Sequence, residues 1–270
     1  MPRVTSRQNE RLREVARLIA SSRDRRKSGR CVLEGAHLID VYRARIGAPE
    51  TLVVVDDRSD EPEIACLIAH TAPARTLVVS RKLFAEIATS PPDVGALAVV
   101  ITPRAAPARA GGFCLLLEDV QDPGNVGSII RTAAAAGVEQ VLLSRHCAFA
   151  WSPKVLRAGQ GAHFLATLVE DVDLVEWADA FRRQGGKVSA TAVAGGTPLY
   201  RANLQGRVAI AIGSEGRGLS DALLAGADQR VTIPMAGGSE SLNAAAATAV
   251  VLFEAVRQRS APARIPSPDP

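Results

Sequence analysis

Short aliphatic runs alternate with amphipathic stretches along the first hundred residues. Residues 7–20 predict a helix that places Leu12, Val15, Ala16 and Ile19 on one face and arginines on the other. Further helices are expected at residues 36–45, 63–70 and 81–88, and strands at 30–33, 51–55, 76–79 and 96–101. This alternation of strands and helices predicts a small α/β domain over residues 1–101.

A second series of the same kind begins after residues 102–112, a Pro-, Ala- and Gly-rich stretch that we interpret as a linker. Strands are expected at residues 113–117, 140–143, 187–191, 208–212 and 230–233, and helices at 128–136, 174–184, 221–225 and 242–259. Continuous aliphatic runs such as VAIAI indicate a parallel sheet covered on both faces. Residues 113–259 therefore predict a larger α/β domain, and residues 260–270 a disordered tail.

The composition favours a folded protein without a structural metal. Hydrophobic residues make up 47% and charged residues 22% of the 270 positions, a balance typical of globular chains. The cysteines at 31, 66, 114 and 147 form no Cys-x-x-Cys pair, and the four histidines have no zinc spacing. With no apolar stretch of spanning length and no signal-like N-terminus, we expect a cytoplasmic protein.

Positive charge is concentrated at the N-terminus. Residues 1–30 contain ten Arg or Lys against three Asp or Glu, whereas the whole chain carries a net charge of only +4. This pattern fits a solvated helix face, and it equally fits a surface that contacts phosphates. Charge alone leaves both interpretations open.

Three glycine-bearing loops follow predicted strands and carry polar residues, at positions 118–128, 212–220 and 233–243. Ligands of open parallel sheets lie beyond the carboxyl ends of the strands, so these loops are the candidate site. In the first, Gly124 and Gly127 permit a tight turn before a helix that bears Arg131. That arginine is either functional or a surface residue paired with Asp119 or Asp122.

The other two loops also have a structural and a functional interpretation. The second places Glu215 and Arg217 among three glycines, although Ser220 there is a suitable helix N-cap. The third opens a helix near Ser241 and Asn243. Capping explains Ser241, whereas an amide at Asn243 within the first turn is less readily explained by capping.

Familiar nucleotide and nucleophile motifs are missing from the sequence. No Gly-x-Gly-x-x-Gly follows a strand, and there is neither a phosphate-binding P-loop nor a Gly-x-Ser-x-Gly elbow. The stretch Ser90-Pro91-Pro92-Asp93 lacks the aromatic residue of the base-methyltransferase loop. These absences weaken dehydrogenase, NTPase and serine-hydrolase interpretations.

The three loops, in this order, resemble the signature motifs of the SpoU/TrmH family of RNA ribose methyltransferases, in the SPOUT superfamily. The matching stretches are LEDVQDPGNVGSIIRTAAAAGV (117–138), IAIGSEGRGLS (210–220) and IPMAGGSESLNAAAATAV (233–250). The segment SPKVLRAGQGAHF (152–164) is similar to the family's middle region, and Val32-Leu33-Glu34-Gly35 to its substrate-binding domain. The AAAATAV run departs from the family's Val-Ser-Val-like sequence.

The resemblance implies a C-terminal SPOUT domain with a parallel sheet and a deep trefoil knot, preceded by a smaller α/β RNA-binding domain. It also implies a homodimer whose active sites are completed by both subunits. S-adenosylmethionine would be held by Thr191, Gly213, Ile233 and Leu242. The polar active-site positions that match the family are Asn125, Arg131, Glu215, Ser241 and Asn243.

The reaction implied is methyl transfer from S-adenosylmethionine to a ribose 2′-hydroxyl, with Arg131 stabilising the developing alkoxide. Structured RNA would be held by Arg7, Arg11, Arg23, Arg25, Arg26 and Lys27. By analogy with enzymes that share such an N-terminal domain, 23S-type ribosomal RNA is preferred over transfer RNA. The alternatives are a tRNA 2′-O-methyltransferase, a base methyltransferase of related fold, and a non-catalytic knotted RNA-binding protein.

Overall fold

The computed structural model describes residues 3–103, 108, 111–237 and 241–260. Contacts within the chain define two compact units. The first comprises Met1–Arg104 and Phe149–Leu165, and the second Ala105–Ala148 and Ala166–Pro270. The segment Phe149–Leu165 thus clusters with the first unit, although the sequence-based boundaries count it with residues 113–259. Part of the predicted linker, and the predicted tail after residue 260, lie outside the described residues.

The first unit is a mixed sheet with helices packed against it. Its strands are β1 (Arg3–Val4), β2 (Arg30–Glu34), β3 (Thr51–Val55), β4 (Thr76–Val79) and β5 (Ala96–Ile101), in the order β1-β4-β3-β5-β2. Its helices are α1 (Glu10–Ala20), α2 (Ser22–Ser28), α3 (Ala36–Arg45), α4 (Pro62–Ala69) and α5 (Arg81–Ile87). Strand β5 runs antiparallel to both β2 and β3, whereas β4 is parallel to β1 and β3.

Helix α1 begins later than predicted because Asn9 caps it. The Asn9 side chain accepts hydrogen bonds from the backbone N–H groups of Arg11 and Leu12, at 3.1 and 3.3 Å. The predicted apolar face is then buried, with Leu12 packed in the same core as Phe84 of α5. This packing fixes α1 against the sheet and leaves Arg13 and Arg17 exposed to solvent.

The second unit is a parallel sheet. Among the described residues its strands are β6 (Phe113–Leu117), β7 (Gln140–Leu143), β8 (Thr167–Val169), β9 (Lys187–Thr191), β10 (Thr197–Pro198), β11 (Val208–Ile212) and β12 (Gln229–Thr232). They follow the order β10-β12-β9-β11-β6-β7-β8, and every neighbouring pair is parallel. The predicted α/β fold with a parallel sheet is therefore confirmed.

Helices cover this sheet. They are α6 (Pro123–Ala135), α8 (Leu174–Arg183), α9 (Asp221–Gly226) and α10 (Ala244–Ser260), while α7 (Pro153–Gly159) belongs to the first unit and packs on β2. Trp177 and Phe181 of α8 share a buried cluster with Leu116 of β6. Helices α6 and α10 pack against each other. None of the helices in the described ranges combines the length and apolarity needed to cross a membrane.

Strands β12, β9, β11 and β6 are neighbours and run parallel, so their carboxyl ends lie side by side at one edge of the sheet. The loops after β6, β11 and β12 are those singled out from the sequence, so the fold places all three candidate loops beside one another. Helix α6 starts five residues before the predicted position because the Asp122 side chain accepts a hydrogen bond from Asn125 N at 2.7 Å. Helix α10 starts at Ala244, two residues after the start predicted for it at residue 242.

Candidate active site

A carboxylate held by two amides lies where the three loops meet. The Glu215 Oε1 atom accepts hydrogen bonds from Asn125 Nδ2 at 2.8 Å and from Asn243 Nδ2 at 2.6 Å. Asn243 Nδ2 also lies 2.9 Å from Asn125 Oδ1, and Ala244 N donates to Glu215 Oε1 at 3.3 Å. One side chain from each loop thus joins a single polar cluster, which ties together segments up to 118 residues apart.

Asn243 has a second role that corrects the sequence interpretation. It lies just before helix α10, and its Oδ1 atom accepts hydrogen bonds from Ala245 N and Ala246 N, at 3.0 and 3.3 Å. The residue is therefore the N-cap of α10 and not a member of its first turn. Its oxygen caps the helix while its nitrogen reaches the cluster, so one side chain performs both functions.

The second loop folds back on itself closely enough to require glycine. A Cβ atom at Gly213 would lie 2.1 Å from the backbone carbon of Gly218, a separation that no side chain tolerates. Gly218 itself has a φ of 69°, in the left-handed region. The Glu118 carboxylate fastens the far end of this loop by accepting a hydrogen bond from Ser220 N at 2.6 Å. The loop is thus folded compactly and presents Glu215 to the pocket.

A pocket of about 340 Å³ opens beside the cluster, within the range of about 300–1,000 Å³ usual for small-molecule sites. Its lining includes the residues predicted to bind a cofactor, Thr191, Gly213, Ile233 and Leu242, together with Glu215 and Ser241. Thr191 is partly committed to structure, because its hydroxyl donates to Ala211 O at 2.9 Å. Aliphatic side chains and backbone groups form most of the remaining wall, which suits a ligand with both apolar and polar parts.

Comparison with known proteins identifies the family. Residues 112–253, more than half of the chain, match the model of the SpoU rRNA Methylase family. The chain belongs to this family. The match spans the three loops, helices α6, α8 and α9, and the first part of α10. The predicted family and its enzyme class, an RNA methyltransferase, are therefore confirmed.

Relatives of this SpoU methylase match along nearly the whole chain. An uncharacterized tRNA/rRNA methyltransferase of Synechocystis is 34% identical over 95% of this chain and 94% of its own. The 23S rRNA (guanosine(2553)-2′-O)-methyltransferase RlmP of Bacillus subtilis is 30% identical over 94% of this chain and 98% of its own. Both alignments cover the first unit as well as the second.

Solved structures agree with this picture. The crystal structure of an RNA 2′-O ribose methyltransferase superposes with a TM-score of 0.81 at 29% identity, covering 95% of this chain and 98% of that one. The SpoU methyltransferase AviRb from Streptomyces viridochromogenes, in complex with AdoMet, gives a TM-score of 0.80 at 28% identity, covering 93% and 98%. The similarity therefore covers residues of both units.

Arg131 of the SpoU methylase stands apart from the polar cluster. It lies on an exposed position of α6, does not line the pocket, and makes no hydrogen bond or ion pair with the described residues. The alternative pairing with Asp119 or Asp122 is not observed, because Asp119 bonds to Ser144 and Asp122 caps α6. Within one copy of the chain, this guanidinium remains available to another partner.

The predicted RNA-contacting residues divide into exposed and structural members. Arg7, Arg23, Arg26 and Lys27 are exposed, and the Arg26 guanidinium lies 4.2 Å from the centroid of the Phe149 ring. Arg11 is half-buried and donates to Ala74 O at 2.6 Å.

Arg25 is the exception that the structure corrects, because only 6% of its surface is exposed. Its guanidinium donates to the carbonyls of Leu18 and Ile19, and burial lowers the pKa of this group. Arg25 therefore caps the end of α1, and it is not presented to a phosphate.

Several pocket residues were missed in the sequence. Val193 and Met235 line the pocket, with 69% and 39% of their surface exposed. Arg217, noted in the second loop, lines the pocket as well. Val193 lies two residues beyond the end of β9, so the carboxyl-end rule applied to every strand would have found it. In the described part of the chain no cluster of His, Cys, Asp and Glu has the arrangement of a metal site.

Proposed function

We propose that this protein methylates a ribose 2′-hydroxyl of 23S-type ribosomal RNA. It is an S-adenosylmethionine-dependent RNA methyltransferase of the SpoU family. The observation that carries the proposal is the cluster of Asn125, Glu215 and Asn243 on the wall of the pocket, in a chain whose relatives include named 23S rRNA 2′-O-methyltransferases.

The residues of the pocket fit the cofactor. Thr191, Gly213, Ile233 and Leu242 all line the pocket and would hold the cofactor, through backbone groups and through the apolar parts of the three side chains. When bound, S-adenosylmethionine supplies an electrophilic methyl group on a positively charged sulfur. The carboxylate of Glu215 faces the same space, so the pocket offers negative charge to a cationic ligand.

The polar residues would prepare the ribose hydroxyl, which is a poor nucleophile while protonated. The donors Asn125 Nδ2 and Asn243 Nδ2 fix the Glu215 carboxylate in one orientation, ready to accept the hydroxyl proton directly or through water. Arg131 would stabilise the alkoxide as the proton leaves, because its guanidinium stays charged across the accessible pH range. Ser241, on the pocket wall, would complete the polar lining around the hydroxyl.

Arg131 reaches such a site most simply in a homodimer. Helix α10 presents Ala246, Val250 and Phe253 along one face with helical spacing, and Phe253 is 50% exposed. This apolar face lies on the helix that packs against α6, which carries Arg131. We place a second copy on this face, so that Arg131 of one subunit serves the pocket of the other. Replacing Phe253 with Asp should then yield a monomer in sedimentation analysis, and an unchanged dimer would contradict this arrangement.

The path of the chain supports a trefoil knot in the second unit. Strand β12 lies between β9 and β10, although the five residues 192–196 join those two strands directly. This crossing wraps β12 closely, since Ala192 N donates to Val231 O at 2.9 Å and Gly196 N donates to Thr232 Oγ1 at 3.2 Å. A Cβ atom at Gly196 would lie 2.9 Å from the Arg230 backbone. The glycine thus permits the close crossing that a knotted SPOUT domain requires.

The first unit would serve as the RNA-binding domain, at residues 1–101, joined by the linker 102–112 to the SPOUT domain at 113–259. Its exposed cations are suited to backbone phosphates, which position an RNA without reading its sequence. Acting on ribosomal RNA, the enzyme would work in the cytoplasm.

Transfer of a labelled methyl group to total RNA, followed by nuclease digestion and nucleoside analysis, tests the proposal. We expect label on a 2′-O-methylated nucleoside of large-subunit ribosomal RNA. Label on a base would indicate a base methyltransferase of related fold, and label in tRNA would show that the substrate is tRNA and not ribosomal RNA. Absence of transfer with intact cofactor binding would favour a non-catalytic RNA-binding protein.

A further inference from the structure

The loop that delivers Asn125 begins with an unusual backbone conformation. Asp119, two residues beyond the end of β6, has a φ of 55°. The left-handed region is unfavourable for a residue with a side chain, although Asp tolerates it when its carboxylate is hydrogen-bonded locally. Something outside the loop must therefore hold this residue in place.

Ser144, the first residue after β7, bonds both the backbone N–H and the carboxylate of Asp119. Its hydroxyl accepts a hydrogen bond from Asp119 N at 2.9 Å and donates one to Asp119 Oδ1 at 2.7 Å. Ser144 is itself fixed, because its N–H donates to Leu117 O at 2.9 Å. A hydroxyl is needed for this pair of bonds, since only a group that both donates and accepts can form them.

The direction that the chain takes at Asp119 determines where Asn125 arrives. Val120 follows, buried and bonded through its carbonyl to Ala148 N at 2.9 Å, and Asp122 then caps α6. Asn125 lies in the first turn of that helix and reaches Glu215 across 2.8 Å. A change of φ at Asp119 would swing the start of α6 and open this contact.

We infer that Ser144 is a positioning residue for methyl transfer. It holds the Asp119 backbone in the left-handed conformation, which places Asn125 within hydrogen-bond distance of Glu215. The inference rests on the proposed function of that cluster. Neither Ser144 nor Asp119 lines the cofactor pocket. Their effect should therefore appear in turnover and not in cofactor affinity.

The test combines Ser144→Ala with Asp119→Gly. Alanine removes the hydroxyl and should lower kcat about tenfold, equivalent to about 1.4 kcal/mol, with the S-adenosylmethionine Kd from calorimetry within twofold of wild type. Ser144→Thr keeps the hydroxyl and should restore most of the turnover. Glycine adopts positive φ without help, so Ser144→Ala should have little further effect on kcat in the Asp119→Gly background.

Asp171→Gly is a matched control, since Asp171 has a φ of 58° in the turn after β8, a strand that β7 separates from β6. It relieves the same backbone strain and should leave kcat unchanged. Wild-type turnover by Ser144→Ala, or an equal loss in both Asp119 backgrounds, would overturn the inference. If Ser144→Ala fails to fold, kcat is compared between Asp119→Gly and the double variant. Similar values support the inference, and a clear loss in the double variant overturns it. A wild-type enzyme without transfer activity would instead refute the proposed function.

Discussion

Replacing Asn243 separates helix capping from catalysis at one position. Its Oδ1 atom caps α10, whereas its Nδ2 atom donates to Asn125 and Glu215. Serine is as good an N-cap as asparagine but has no amide to donate. Asn243→Ser should therefore remove the hydrogen bonds that Asn243 donates to Asn125 and Glu215 and keep the cap, and Asn243→Ala should remove both.

The expected magnitudes follow from these contacts. Loss of an N-cap costs about 1 kcal/mol, with a range of roughly 0.5–2, so only the alanine variant should be less stable by this amount. A hydrogen bond to a charged group contributes about 1.5–3 kcal/mol. Glu215 is exposed, so we take the lower end of this range. At about 1.36 kcal/mol for each factor of ten, kcat should fall at least tenfold in both variants.

Urea unfolding and single-turnover methyl transfer measure the two effects. Asn243→Ser should unfold within about 0.5 kcal/mol of wild type, the usual spread for a neutral substitution, and should still lose its turnover. Full turnover in this variant would show that the hydrogen bonds donated by Asn243 Nδ2 do not contribute to the reaction. Equal stability of the serine and alanine variants would contradict the capping role.

Three further predictions concern other parts of the molecule. Arg131→Ala should abolish methyl transfer while calorimetric cofactor binding persists, and loss of both would contradict its assigned role. Joint replacement of Arg23, Arg26 and Lys27 by Glu should weaken RNA binding and flatten its dependence on salt, whereas equal affinity at several salt concentrations would exclude them as phosphate contacts. Burial lowers the pKa of His163 from 6.5 to about 4, so the unfolded chain takes up a proton first as the pH falls. The free energy of unfolding should then be greatest above pH 6.5 and decline by up to roughly 3 kcal/mol as the pH falls to 4. Urea unfolding at several pH values should show this decline for the wild type and not for His163→Gln.

Strands were the most predictable part of this fold. The aliphatic runs at Thr51–Val55, Phe113–Leu117 and Val208–Ile212 match the observed strands residue for residue, because each run is buried on both faces. The strands Arg3–Val4, Thr167–Val169 and Thr197–Pro198 were missed, since runs of two or three residues are too short to carry a period. Helix Ser22–Ser28 was missed for another reason, because it is almost entirely polar and its N-cap, Ser21, was not recognised.

The candidate site was predictable as three loops but not as a set of contacts. Glycine spacing and the carboxyl-end rule placed Glu215 and Asn243 in the right loops. Whether a cation in a basic run faces solvent depends on tertiary packing, which is why Arg25 could not be distinguished from Arg26 in the sequence. The isolation of Arg131 likewise depends on tertiary contacts, because its expected partners Asp119 and Asp122 accept hydrogen bonds from Ser144 and Asn125 instead.

The membership of Phe149–Leu165 in the first unit has a consequence for synthesis on the ribosome. Arg157 in this segment donates to Ser90 at 2.6 Å, and Phe164 contacts the ring of Tyr42 edge-on at 5.2 Å. Domains usually fold in order as they emerge, at about 5–20 residues per second. Here the first unit is complete only when residues 149–165 have left the ribosome, more than sixty residues after Arg104. A nascent chain arrested near residue 105 should therefore be more sensitive to protease than one arrested well beyond residue 165.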